Sequence, residues 1–163
     1  MAMANGQMGI YAGQRDLILA FDPGRDKTGF AVVDFDGGLI FSGLFQSEDR
    51  EKFFDALIAG EFREFVIEKF SDDFDIIENV KKIAVGNGTS SKKFCAFVSE
   101  RLPLEVMITD EKNTTLEARK LYWKLHKPGL LAKLVPQSAR VPARVLDDLA
   151  AWAIALRALN LTA

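Results

Sequence analysis

Apolar residues fall in short runs along the first third of the chain. Leu17 to Asp22 is one run, closed by the turn signal Pro23-Gly24; Gly29 to Asp34 is a second, and Gly37-Gly38 separates it from a third, Leu39 to Phe45. Runs of this length, punctuated by Gly and Pro, predict three strands joined by tight turns in an antiparallel meander. From Glu48 to Gly60 the period changes, with Phe53, Phe54, Leu57 and Ile58 at helical spacing. Phe62 to Phe70 alternates between apolar and polar residues and reads as a strand more readily than as a continued helix. Ile83 to Val85 predicts a buried strand, Ser91 to Leu102 a helix with Phe94, Phe97, Val98 and Leu102 on one face, and Leu104 to Thr109 a strand. That succession is a βαβ unit. Thr114-x-x-Glu117 has the form of a capping box and opens a helix to about His126, stopped before Pro128-Gly129. Pro142 suits a first helical turn, so the last helix is predicted over Ala143 to Leu159 with a core stripe of Val145, Leu149, Trp152, Leu156 and Leu159.

The elements and the length of 163 residues fit one α/β domain over residues 17–163, after a flexible leader over 1–16. A hydrophobic fraction of 48% with 27% charged residues excludes a disordered chain or a disulfide scaffold. No stretch approaches the roughly 18 apolar residues of a membrane span, and Met1 to Gln14 lacks a basic start and a continuous apolar run. The expectation is a cytoplasmic protein without a membrane partner. One cysteine, Cys95, and one histidine, His126, cannot build an internal disulfide or a zinc cage. Any metal must be held by carboxylates.

The net charge of -2 conceals an asymmetry. Residues 1–80 hold 7 Lys/Arg against 16 Asp/Glu, and residues 81–163 hold 14 against 7. Lys112 to Arg144 concentrates eight basic residues, among them Lys112, Lys120, Lys124, Arg140 and Arg144, against the single acid Glu117. A local excess of this kind can be the footprint of a polyanion or a solvated helix face.

Three segments carry candidate chemistry. In Asp22-Pro-Gly-Arg25-Asp-Lys27-Thr-Gly29 an aspartate ends a strand, and a glycine turn beside it permits close approach of a ligand; the same residues also suit an ordinary hairpin. In Gly86-Asn87-Gly88-Thr89-Ser90-Ser91-Lys92 a glycine turn leads into a helix, whose free N–H groups can receive a phosphate. Capping by Thr89 or Ser90 accounts for the same residues. The third is a set of acids, Asp110-Glu111 after a strand and Asp147-Asp148 at the start of the last helix. Asp148 borders the apolar stretch Leu149 to Leu156, where an unpaired carboxylate is costly and a metal ion would supply its partner.

Asp22-Pro-Gly-x-x-x-Thr-Gly, Gly86-Asn-Gly-Thr-Ser-Ser, Asp110-Glu-Lys-Asn-Thr-Thr and Asp147-Asp-Leu-Ala-Ala, in this order, resemble the YqgF family of Holliday-junction-resolvase-like nucleases, a branch of the RNase H-like superfamily. The resemblance runs from about Leu17 to Leu159. It implies an RNase H-like mixed five-stranded sheet, an antiparallel three-strand meander plus parallel strands, flanked by helices. It further implies a Mg²⁺- or Mn²⁺-dependent nuclease acting on branched DNA or on ribosomal RNA precursors, as a monomer or homodimer. By family register Asp22, Glu111 and Asp147 are the catalytic acids and metal ligands, with Asp148 beside them. The related resolvases place a glutamate in a setting like Val66-Ile-Glu68, so Glu68 and Asp110 remain alternates, and helical periodicity sets Asp148 rather than Asp147 next to the core stripe. Arg25, Lys27, the Gly86 to Ser90 turn, Lys92, Lys112, Lys120, Lys124, Arg140 and Arg144 are the candidate nucleic-acid contacts. The Asp22 hairpin also resembles the phosphate loop of actin-like and sugar-kinase-like ATPases. A small nucleotide-binding domain and a non-catalytic nucleic-acid-binding domain are therefore the other two readings.

Overall fold

A computed structural model describes residues 15–163, so the leader expected over 1–16 lies outside the described residues except for Arg15 and Asp16. Strands β1 (Leu17–Pro23), β2 (Lys27–Asp34) and β3 (Leu39–Gln46) form the antiparallel meander, and helix α1 (Arg50–Ala59) follows. Then come β4 (Val66–Lys69), β5 (Val80–Gly86), α2 (Ser91–Arg101), β6 (Val106–Thr109), α3 (Thr114–Leu125) and α4 (Asp147–Ala158). The sheet has six strands in the order β4-β3-β2-β1-β5-β6. β5 runs parallel to both β1 and β6, so β5, α2 and β6 make the predicted βαβ unit.

The expected count of five strands is corrected by β4. The alternating stretch after Phe62 does form a strand, but a short one, because a 3-10 turn over Arg63–Phe65 consumes its first half. What remains pairs antiparallel with β3 at the sheet edge, Ser42 opposite Glu68.

The two faces of the sheet carry different residues. Toward α1 and α2 lies a core of phenylalanines, in which Phe45 stacks on Phe53 with ring centres 4.2 Å apart and Phe21 on Phe54 at 5.5 Å. Toward α3 and α4 the sheet presents Ile18, Ala20, Ala31 and Ala84, and α4 answers with Ala150, Ala151, Ala153 and Ala155. Small residues on both sides let α4 lie close against the strands, and every residue from Asp148 to Leu156 is buried.

That burial overturns the amphipathic stripe predicted for the last helix. Leu149, Trp152 and Leu156 are buried as expected, but Val145 precedes the helix and is 53% exposed. α4 starts at Asp147 rather than Ala143, with Leu146 at φ -120° and ψ 24° before it, while Arg144 in the preceding loop pairs with Asp148 and Glu68. The capping box of α3 does not form either. Asn113, at a left-handed φ of 67°, precedes the helix, Thr114 Oγ1 donates to the Glu111 carbonyl at 2.8 Å, and Glu117 pairs with Arg157 at 2.6 Å. No side chain caps α2, so Thr89 and Ser90 do not act as predicted caps.

Candidate active site and its neighbouring ion pairs

Asp22 stands near the end of β1, the strand flanked by β2 and β5. Side chains alternate along a strand, so Ile18, Ala20 and Asp22 share the face covered by α3 and α4. Its cross-strand partner is Gly29. A Cβ on Gly29 would collide with the backbone of Asp147 and Asp148. Glycine here is a seat, and it lets the first turn of α4 descend onto the sheet and bring Asp147 up beside Asp22.

Glu111 reaches the same place from the other side. β5 ends at Gly86 next to β1, and β6 pairs Thr109 with Gly86. The Asn87 N–H donates to the Thr109 carbonyl at 3.0 Å, and Asn87 Oδ1 accepts from the Glu111 N–H at 3.1 Å. The Glu111 carboxylate then lies over the glycine turn: a Cβ on Gly86 would meet its Oε2 at 2.8 Å, and one on Gly88 its Oε1 at 2.7 Å. The two glycines predicted to cradle a phosphate thus accommodate the protein's own carboxylate. The smallness of Gly86 and Gly88 has a cause within the chain.

The three acids feel one another. Burial, then the charge of Glu111, then that of Asp147 push the Asp22 carboxyl up from 3.8 to about 7. None of the three has a Lys, Arg or His partner within ion-pair distance among the described residues. Among those residues no three acidic, histidine or cysteine side chains are drawn together closely enough to hold one ion as they stand. Like charges without a counter-ion repel, so coupled but separated carboxylates are the arrangement such a set adopts. Their oxygens are the hard donors that Mg²⁺ and Mn²⁺ prefer, and the donor chemistry fits those ions. Asp22 and Asp147 open on a cleft of about 350 Å³ whose walls include Arg119, Val141 and Leu146.

The alternates fall elsewhere. Asp110 is exposed and accepts the Lys112 N–H at 2.9 Å, a turn within its own loop. Asp148 is fully buried, but the metal partner invoked for it is replaced by protein groups. Arg144 donates to its Oδ1 at 2.6 Å and Ser42 Oγ to its Oδ2 at 2.6 Å. Glu68 belongs to the same network, accepting from Arg144 at 2.7 Å and lying 2.6 Å from His126 Nε2. Burial works against the Glu68 charge, yet the bonds from Arg144 and His126 prevail and hold its carboxyl below the ordinary value. Arg144 is a counter-ion for two carboxylates and not the free nucleic-acid contact that its place in the basic segment suggested. Arg140 is likewise engaged, its Nε donating to the carbonyls of Ala132 and Val135, each at 2.9 Å. Arg25, Lys27, Lys92, Lys112, Lys120 and Lys124 are exposed, and so are Asn87 and Thr89.

Ser42 and His126 are network members that the motifs do not single out. For Ser42 a signal is present: one hydroxyl inside the apolar run Leu39 to Phe45. His126, a single histidine at a helix end, offers no such pattern.

No protein-family model matches the chain, and no curated protein matches it. Among solved structures it is similar to a ROK family transcriptional regulator, a homologue of the E. coli MLC protein, with a TM-score of 0.42 and 10% identity. The likeness covers 67% of this chain and 31% of that one, so the chain spans about a third of that protein's length. No helix among the described residues is long and apolar enough to cross a membrane.

Proposed function

We propose that this chain is an RNase H-like, metal-dependent endonuclease of the YqgF type, hydrolysing phosphodiester bonds in branched DNA or structured RNA. The observation that supports it most is the carboxylate trio without a counter-cation, which leaves Asp22 with a carboxyl near 7. A protein with no use for that arrangement would be more stable with a cation or an apolar residue in it.

Asp22, Glu111 and Asp147 would hold one or two Mg²⁺ or Mn²⁺ ions. Ions bound there activate water and offset charge on the attacking and leaving oxygens of the phosphodiester. The chain's own contribution is position and proton balance. The Gly29 seat fixes the backbone of Asp147, and the Gly86 and Gly88 turn holds the carboxylate of Glu111 at the strand ends. Asp22, on the central strand, is held by burial and by the charges of Glu111 and Asp147 with its carboxyl near 7, so that it shares a proton with solvent at neutral pH. Exposed Arg119 on α3 lines the cleft that Asp22 and Asp147 open on and puts a positive charge there for a phosphate.

The separation of the three carboxylates favours a second reading, a nucleic-acid-binding domain without catalysis. One assay separates the two. The purified protein is incubated with a four-way DNA junction, structured RNA and single strands in Mg²⁺ or Mn²⁺. Cleavage of at least one substrate by the native chain and none by Asp22→Asn is the expected result. Binding without cleavage by both chains assigns the second reading.

A further inference from the structure

A second cleft, of about 700 Å³, opens at the same end of β1 on the opposite face of the sheet, where Thr28 and Phe94 point. Arg25 from the turn after β1, Arg50 from the first residue of α1, and Lys92 and Lys93 from the first turn of α2 line it. All four are exposed, and among the described residues none lies within ion-pair distance of a carboxylate. One acid, Glu48, shares the lining. Arg25 and Arg50 come from the acidic half of the chain, where 7 Lys/Arg stand against 16 Asp/Glu, so the fold gathers cations here against the local balance. The Arg50 guanidinium lies over the Phe97 ring at 4.8 Å, which holds it at the cleft wall.

Uncompensated cations side by side repel one another, and a polyanion relieves that repulsion. Three separate elements supply them, so the positive surface extends along the cleft and suits a row of phosphates better than one small anion. The cleft begins at Pro23, the residue after Asp22. We propose that this groove receives the sugar–phosphate backbone of the substrate strand beyond the phosphate at Asp22. The strand then crosses the end of β1 from the acidic cleft to the cationic one. The identity of the polyanion rests on the nuclease reading; the groove's affinity does not.

The test is fluorescence anisotropy with the full chain in EDTA, where nothing is cut, using a labelled four-way DNA junction and a labelled stem–loop RNA. Arg50→Glu with Lys93→Glu should weaken binding of at least one probe tenfold or more at moderate salt. It should also lower the log–log salt slope by about 2, close to one unit for each phosphate that the groove no longer neutralises. Lys120→Glu with Lys124→Glu measures the α3 side for comparison. Unchanged affinity and slope in a double variant that keeps its melting temperature overturn the proposal. So does a loss confined to ATP or inorganic phosphate, run as competing ligands, which assigns the groove to a free nucleotide. If charge reversal prevents folding, Arg50→Gln with Lys93→Gln carries the test, with an expected loss of about threefold. A native chain that cuts nothing but loses affinity in the variant keeps the groove and discards the nuclease reading. A chain that cuts while affinity stays unchanged does the reverse.

Discussion

The same face of the sheet carries two groups of carboxylates that differ in one respect. Glu68 and Asp148 share Arg144, with Ser42 and His126 completing their hydrogen bonds. Among the described residues Asp22, Glu111 and Asp147 have no cation within ion-pair distance. In the first group the carboxyl of Glu68 is held below its ordinary value, and in the second that of Asp22 rises to about 7. Adjacent residues of one helix turn, Asp147 and Asp148, belong to opposite groups. The presence of an acid at a helix start therefore says little, and whether the fold supplies its cation says much.

The comparison breaks most visibly when the satisfied group is made to resemble the other. Arg144→Met leaves Asp148 fully buried with only Ser42 beside it. Loss of one partner of a buried pair costs about 3–5 kcal/mol, so urea unfolding should show a loss of that size. A change below about 1 kcal/mol would mean that Arg144 only decorates the surface.

Next in size is the chemistry of the unsatisfied group. Asp22→Asn should lower cleavage by at least about 100-fold, the scale on which a positioned catalytic group is felt, with nucleic-acid affinity kept or improved. Gel assays of product and anisotropy of the uncut complex check the two halves.

The third prediction concerns pH. Because the folded state holds the Asp22 proton up to about 7 while the unfolded chain releases it near 3.8, the folded state binds more protons between those values. The contribution of Asp22 to stability therefore falls as pH rises from about 4 to about 7, in the metal-free protein. Asp22→Asn should match the native chain near pH 4 and exceed it near pH 8 by on the order of 1–3 kcal/mol, less than the full shift because the group is partly exposed. Calorimetry across that range decides, and a native chain that gains relative to the variant on alkalinisation contradicts the assignment.

The smallest effect sharpens the role of the glycine turn. A Cβ at Gly88 meets the flexible end of Glu111, which can turn aside, so Gly88→Ala should cost only about 0.5–1.5 kcal/mol. Moving that charge away should still bring the Asp22 titration, followed by NMR, toward the ordinary carboxylate range. An unmoved titration would show that Glu111 is not what Asp22 feels.

Local pattern makes the meander and the βαβ unit legible, since each strand declares itself by its own run and turn. It fails where partners distant in sequence decide. Arg144 reaches Glu68 on β4 from the loop before α4, and nothing within Ala143 to Leu146 reveals that tie. The helix itself looks one-sided because periodicity presumes solvent on one face, whereas sheet and α3 cover both. For the site, the grouping of Asp22 with Glu111 and Asp147 is what the family resemblance implies. The partner of Asp148 cannot, because a buried acid announces the need for a cation without saying whether protein or metal supplies it. The glycines of residues 86–88 read as room for a ligand; they are room for a side chain.

The close fit of α4 against β1 and β2 bears on the order of events during synthesis. The meander precedes α4 by roughly a hundred positions, and until residues 147–158 emerge the alanine face of β1, β2 and β5 lacks the helix that packs directly on it. Such long-range closure is slow relative to local pairing and leaves an apolar surface open in the interval. Asp147 arrives with that closing helix, so the crowding of the three acids is a property of the finished fold alone. A nascent chain carries Asp22 and Glu111, but meets their repulsion with Asp147 only when the core around them is complete.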